Sequence, residues 1–231
     1  MRINKFLSQA GLGSRRKVEE LIKSGLILIN GKICNDLSKQ INENDIVKYQ
    51  NKELKIESEK ITIMLNKPIG YLVTKHDDRG RKTIYDLLPH EYKNLNYVGR
   101  LDYNSSGLLI LTNDGDLNQK ITKPLNKIPK TYEVITSRNL TEKEFKKLES
   151  GIVIEGHKTL PAKISNISGN KFTITIYEGK KRQIRLMVIH VGAKVIELKR
   201  IQIGGLKLGK LDIGKYELLN QKQISPLTKI Q

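Results

Sequence analysis

The sequence predicts an α+β protein in two parts. A small domain built on a helix pair, residues 1–57, precedes a larger domain, residues 58–231, with a mixed, largely antiparallel sheet flanked by helices. Three observations predict it. No helical pattern is long, strand and helix patterns alternate irregularly, and the turns between them are tight. No internal repeat suggests a solenoid.

The elements follow in order. Ile3, Phe6, Leu7 and Ala10 fall at helical spacing, and Gly11 and Gly13 end that helix. Ser14 is a good N-cap for a second helix over residues 15–23, with Val18, Leu21 and Ile22 as its apolar face and Gly25 where a C-cap belongs. A β-branched run over 26–30 turns at Asn30-Gly31 into a strand around 32–34, and a further strand covers 45–49. Residues 51–60 are polar and aperiodic, which predicts a linker about which the two domains move. In the larger domain, residues 61–66 alternate as a strand that Lys67-Pro68 stops, residues 74–82 read as a basic, flexible loop, and 83–88 as a short helix ended by Pro89. Tyr97-Val98 and the apolar run 108–111 are strands, and residues 116–122 a helix. Residues 130–136 alternate as a strand. Thr141 and Glu144 form a capping box for a helix that buries Phe145 and Leu148 and stops at Gly151. Residues 162–167 and 171–177 are strands joined by the turn 168–170, residues 194–203 another, and the Gly-rich tail gives short strands that close the sheet.

Composition narrows the function. The net charge of +18 points to a polyanionic partner, against a background in which Lys, Ile and Asn are abundant throughout. Six of the eleven basic residues of the first domain lie within residues 2–23, against two acidic ones, so the helix pair carries the positive charge. One cysteine, Cys34, excludes an internal disulfide framework and a cysteine-cluster metal site. No apolar run has the length of a membrane span and the first residues show no signal-peptide core, so the expected compartment is the cytoplasm, with no membrane partner. The four histidines are scattered, NSSG is not a nucleophile elbow, and no phosphate-binding GxxxxGK[ST] occurs.

The stretch 99–115, GRLDYNSSGLLILTNDG, stands apart. A polar loop carries Asp102, with Arg100 two places before it, and leads straight into an apolar run ended by Asn113-Asp114-Gly115. A carboxylate on a loop that enters a buried strand is held rigidly, as a catalytic group needs to be. An ordinary surface loop with an Asp–Arg pair has the same spacing.

VGRLDYNSSGLLILTNDG resembles the second motif of the RsuA-family ribosomal-RNA pseudouridine synthases. GSRRKVEELIKSGLILINGK resembles the S4 RNA-binding domain, LNKPIGY the family's first motif, Lys130-Thr131-Tyr132 its K-x-Y element, and EGKKRQIRLM its last motif. The likeness spans nearly the whole chain. One departure is Leu186, where the family often has Arg.

The resemblance implies isomerisation of a specific uridine in ribosomal RNA. The C1′–N1 bond breaks, the uracil turns, and a C1′–C5 bond forms, without metal or cofactor. Asp102 is implied as the catalytic group, as nucleophile or as base; Arg185 as its partner, keeping it ionised; and Tyr132 as the face for the flipped uracil. Arg100, Lys130, Lys180, Lys181 and Arg182 are implied to hold RNA in the larger domain, and Arg2, Lys5, Arg15, Arg16 and Lys17 in the smaller. GSRR, GRKTIYDLLP and VGRLD look closer to the branch acting on large-subunit (23S) than small-subunit (16S) rRNA. A complete motif set implies a monomer with structured RNA as partner. The rival is a non-catalytic RNA-binding or ribosome-assembly protein, which accounts for the charge but not for the three motifs in order.

Overall fold

Hairpins and short capped helices build the N-terminal part. Helix α1 (Ile3–Gln9) buries Ile3 and Leu7, and α2 (Arg15–Lys23) starts where the Ser14 hydroxyl accepts the Lys17 amide at 3.3 Å. Gly25, at φ +68°, ends α2 with the Leu26 amide on the Leu21 carbonyl, so both signals read from the sequence act as caps. Strands β1 (Ile27–Ile29) and β2 (Lys32–Ile33) join through Asn30-Gly31, both at positive φ. Strands β3 (Val47–Tyr49) and β4 (Lys52–Glu53) complete a four-stranded sheet in the order β2-β1-β3-β4. Val18, Ile22, Ile27 and Val47 fill the core between sheet and helices.

The computed structural model describes residues 1–56 and 59–228, apart from the Arg15 side chain. Two units emerge, Met1–Lys60 and Ile61–Gln231. The expected boundary at 57/58 falls on Glu57 and Ser58, outside the described residues. The expected linker is corrected at its start. Lys52 pairs with Tyr49 and Glu53 with Lys48, because Gln50 and Asn51 adopt positive φ and turn the chain back as a hairpin.

The second unit is organised around β5 (Thr62–Lys67) and β7 (Ser106–Thr112), paired antiparallel within a nine-stranded sheet. Beside β7 lies β6 (Asn96–Val98). Helix α3 (Gly115–Thr122) follows, capped by Asp114, whose carboxylate accepts the Asp116 and Leu117 amides. Then come β8 (Lys130–Thr136), α4 (Glu142–Ser150) with its Thr141/Glu144 capping box, and a small hairpin, β9 (Val153–Ile154) and β10 (His157–Lys158). The last part holds β11 (Lys163–Ser168), β12 (Lys171–Ile176), α5 (Gln183–His190), β13 (Val195–Ile203), β14 (Leu206–Lys207), β15 (Tyr216–Leu218) and α6 (Gln221–Ile224). The strand order is β11-β12-β8-β13-β7-β5-β15, with β14 on β13. The pairing of β13 with β7 is parallel, and the other named pairs are antiparallel.

The alternation of residues 61–66 predicts a strand, which β5 is. Every residue of β5 is buried. Ile63 and Leu65 join Leu109 and Leu111 in a core with α4 and α5, while Met64 joins Leu108 and Ile110 in a second core on the other face, with α3. A strand covered on both faces has no polar side to alternate with. The loop 74–82, expected to be merely basic and flexible, is built around Asp77, whose carboxylate takes the Arg81 amide and guanidinium. The Arg81 bond holds that carboxyl down at about 2.

Candidate active site

The sheet splits where β7 changes partner. Its first residues pair with β13 (Ser106 with Lys199, Gly107 with Arg200), and its last ones, on the same edge, with β6. The Leu108 carbonyl, in the gap, accepts the Arg200 Nε at 2.7 Å. A cavity of about 930 Å³ opens at this split, walled by β6 and its following loop, by β8 and β13, and by the turn before α5.

Loop 99–105 crosses the cavity mouth, held from behind through its backbone. The Asp102 carbonyl accepts the Ser105 amide at 3.0 Å and the Lys67 Nζ at 3.2 Å. The Tyr103 carbonyl accepts the Gly70 amide, the Asn104 carbonyl accepts the Arg185 Nη2 at 2.7 Å, and the Ser105 carbonyl accepts the Lys67 Nζ at 2.8 Å. Four successive carbonyls are thus bound, so the loop cannot turn a peptide without breaking a bond. The Asp102 side chain, exposed and lining the cavity, is left free to point at a ligand.

Lys67 is the anchor that the sequence reading missed. The sequence places it as the stop of a strand, whereas in the structure it is the strand's last residue, with none of its surface exposed. Its three N–H donors meet three carbonyls, the third that of Pro68 at 3.0 Å. Burial pushes its ammonium down to about 8, the Asp102 charge opposing and Arg200 adding to the fall. The signal was present: a lysine that ends a strand buried on both faces cannot leave the core without breaking the strand.

Arg185 corrects another expectation. The resemblance implied an Asp102–Arg185 pair, but among the described residues Asp102 forms no ion pair. The guanidinium instead binds the Asn104 and Val195 carbonyls and approaches the Ser105 hydroxyl. It does lie within electrostatic reach. Burial lowers the Arg185 pKa, and the Asp102 charge raises it.

The other residues fall as follows. Tyr132 is buried on β8 and forms a cavity wall, and Arg100, Lys130, Lys180, Lys181 and Arg182 line the same cavity, whereas Arg185 stands behind it. Lys130, half-buried, bonds the Ile128 carbonyl and is pushed down to about 8 by burial, with Arg200 contributing. Lys180, Lys181 and Arg182 form the turn before α5. Arg182 stands at the N-cap with φ +54°, and Lys180 meets Glu178 at 3.8 Å. Arg2, Lys5, Arg16 and Lys17 belong to the first unit: Arg2 precedes α1, Lys5 lies on it, and Arg16 and Lys17 are exposed on the first turn of α2. Arg15 cannot be placed, because its side chain lies outside the described residues.

Arg200 was noted in the sequence as part of a strand and given no role. It is 3% exposed, and its Nη2 has no hydrogen-bond partner. With Lys130 it makes the inner wall of the cavity cationic.

A family model described as RNA pseudouridylate synthase matches residues 61–190, and that of the S4 domain matches residues 1–47. The chain belongs to the RNA pseudouridine synthases. The ribosomal large subunit pseudouridine synthase B of Bacillus subtilis (strain 168) is 38% identical over 98% of this chain and 95% of its own length. The ribosomal small subunit pseudouridine synthase A of Vibrio vulnificus (strain CMCP6) is 33% identical, covering 99% of this chain and all of its own. A crystal structure of a pseudouridylate synthase, 31% identical, superposes with a TM-score of 0.74 over 98% of this chain and 99% of that one. This synthase is therefore an isomerase by family, with an S4 domain ahead of its catalytic unit. Among the described residues, no helix is long and apolar enough to cross a membrane.

Proposed function

We propose that this synthase converts one uridine of ribosomal RNA to pseudouridine, with Asp102 as the catalytic group. The observation that carries the reading is the loop whose four bound carbonyls leave a single carboxylate free at the mouth of a cationic cavity. Asp102 attacks the ribose as nucleophile or removes a proton from it as base, while the C1′–N1 bond breaks. The uracil turns against Tyr132, C5 bonds to C1′, the C5 hydrogen leaves as a proton, and the freed N1 takes one up, so the product has the atoms of the substrate. Lys67 and Arg185 are positioning residues. They hold the loop backbone. Arg100, Lys130, Lys180, Lys181 and Arg182 pair with phosphates about the flipped nucleotide, and Arg2, Lys5, Arg16 and Lys17 with RNA at the S4 domain.

Large-subunit rRNA is the favoured substrate. GSRR, GRKTIYDLLP and VGRLD support it, as does the higher identity to the B. subtilis large-subunit enzyme than to the V. vulnificus small-subunit one. Tritium release from rRNA labelled at uridine C5 tests the chemistry. Wild type releases label, whereas Asp102→Asn binds the same RNA and releases none. Release by Asp102→Asn would sink the assignment.

A further inference from the structure

On β8, β12 and β13, alternate residues point to opposite faces. Lys130, Tyr132 and Arg200 face the catalytic cavity, and Thr131, Thr175 and Lys199 face away. The away face is a second groove of about 660 Å³, floored by the sheet itself. One row crosses it despite a bulge in β13 between Arg200 and Gln202. Lys207, Gln202, Thr131, Thr175 and Lys163 stand opposite one another across β14, β13, β8, β12 and β11. At ~4.8 Å per strand, this row spans roughly 19 Å, with an ammonium at each end and only hydroxyls and an amide between. Beside it, Lys199 faces Glu133, then Thr173 and Ser165. Glu133 is already engaged by Lys171, at 3.6 Å. The groove thus presents Lys163, Lys199 and Lys207 against one carboxylate that another lysine occupies.

Tyr177, at the end of β12, lines both cavities. The polar groove therefore continues the catalytic one around the sheet.

We infer that the polar face of β11, β12, β8 and β13 is a second RNA track, taking the strand that leaves the catalytic cavity past Tyr177. The inference rests on the proposed RNA reaction. The lysines match phosphates, the threonine hydroxyls and the Gln202 amide match ribose 2′-hydroxyls, and Tyr177 offers a ring for a base. A protein partner would call for an apolar centre, and here the centre is threonine.

The test uses the full chain and a transcribed large-subunit rRNA, with binding measured from about 50 to 200 mM salt. Lys163→Gln/Lys199→Gln/Lys207→Gln is compared with Lys143→Gln/Lys146→Gln/Lys147→Gln, which removes the same charge from α4. At ~0.7 per phosphate contact, the groove variant loses about two units of the log–log salt slope and binds about tenfold more weakly. The α4 variant keeps the wild-type slope. Equal slopes in the two variants overturn the track, whether the face is solvated or meets a protein. Tritium release by wild type is run in parallel. Without release the proposed reaction fails, whereas release with equal slopes sinks the track alone.

Discussion

With Asp102 as the proposed catalytic group, its carboxylate has to stay where the ribose would arrive, and the bonds behind it supply that constraint. Lys67 contributes most, with three carbonyls on one ammonium. Lys67→Met keeps the apolar stem but strands those acceptors. The expected loss is about 2–4 kcal/mol of stability, measured by denaturant unfolding, with a lower single-turnover rate and unchanged RNA affinity. Asp102→Asn, by contrast, should fold and bind as wild type and fall below about a thousandth of its rate. Asp102, Tyr132 and the cavity lysines were legible because their motifs are contiguous in sequence. The contacts of Arg185 were not. Its partner is a backbone carbonyl 81 positions away, and no pattern of side chains announces such a bond.

At the scale of elements, the cavity exists because β7 leaves β13 for β6 after two residues. Gly107 sits at the close approach. Its φ is +101°, and a Cβ there would lie 2.2 Å from the Arg200 carbonyl oxygen. Gly107→Ala therefore pushes β13 off β7, and the expected cost exceeds ~2 kcal/mol, read as a lower urea midpoint. The strand Lys67 ends also gives a pH dependence. Below its folded pKa of about 8, Lys67 is charged whether folded or unfolded, so its burial cost is constant. Between about 8 and 10.5 the folded protein gives up the proton first, so this group's contribution to stability rises with pH. The neutral amine has two N–H donors for three carbonyls, so the loop loosens and the single-turnover rate falls above about pH 8. Lys130, also at about 8, could give the same limb. Lys130→Arg separates them, since the limb persists if Lys67 causes it and disappears if Lys130 does. Strand and helix positions were readable from periodicity and caps. The both-face burial of β5 was not, because its side chains divide between two cores by contacts remote in sequence.

For the whole molecule, charge decides the encounter and the cavity decides the chemistry. The excess of +18 is spread over both units, and the sequence shows its size but not its faces. If the S4 domain contributes through phosphate contacts, Arg16→Gln/Lys17→Gln in the full chain lowers the salt slope for rRNA by about 1.5 and leaves the saturated rate intact. A fall in that rate would place these residues in the reaction instead. Two domains and an α+β class were legible because a run without apolar period separates two different patterns. The split of the sheet was not, since it depends on a parallel pair joined across some ninety residues. The most direct measurement of the central claim is carbodiimide primer-extension mapping of both rRNAs after incubation with wild type or Asp102→Asn. One new stop in large-subunit rRNA, present with wild type and missing with Asp102→Asn, is the predicted result. No stop with wild type, or the same stop with both proteins, would contradict it.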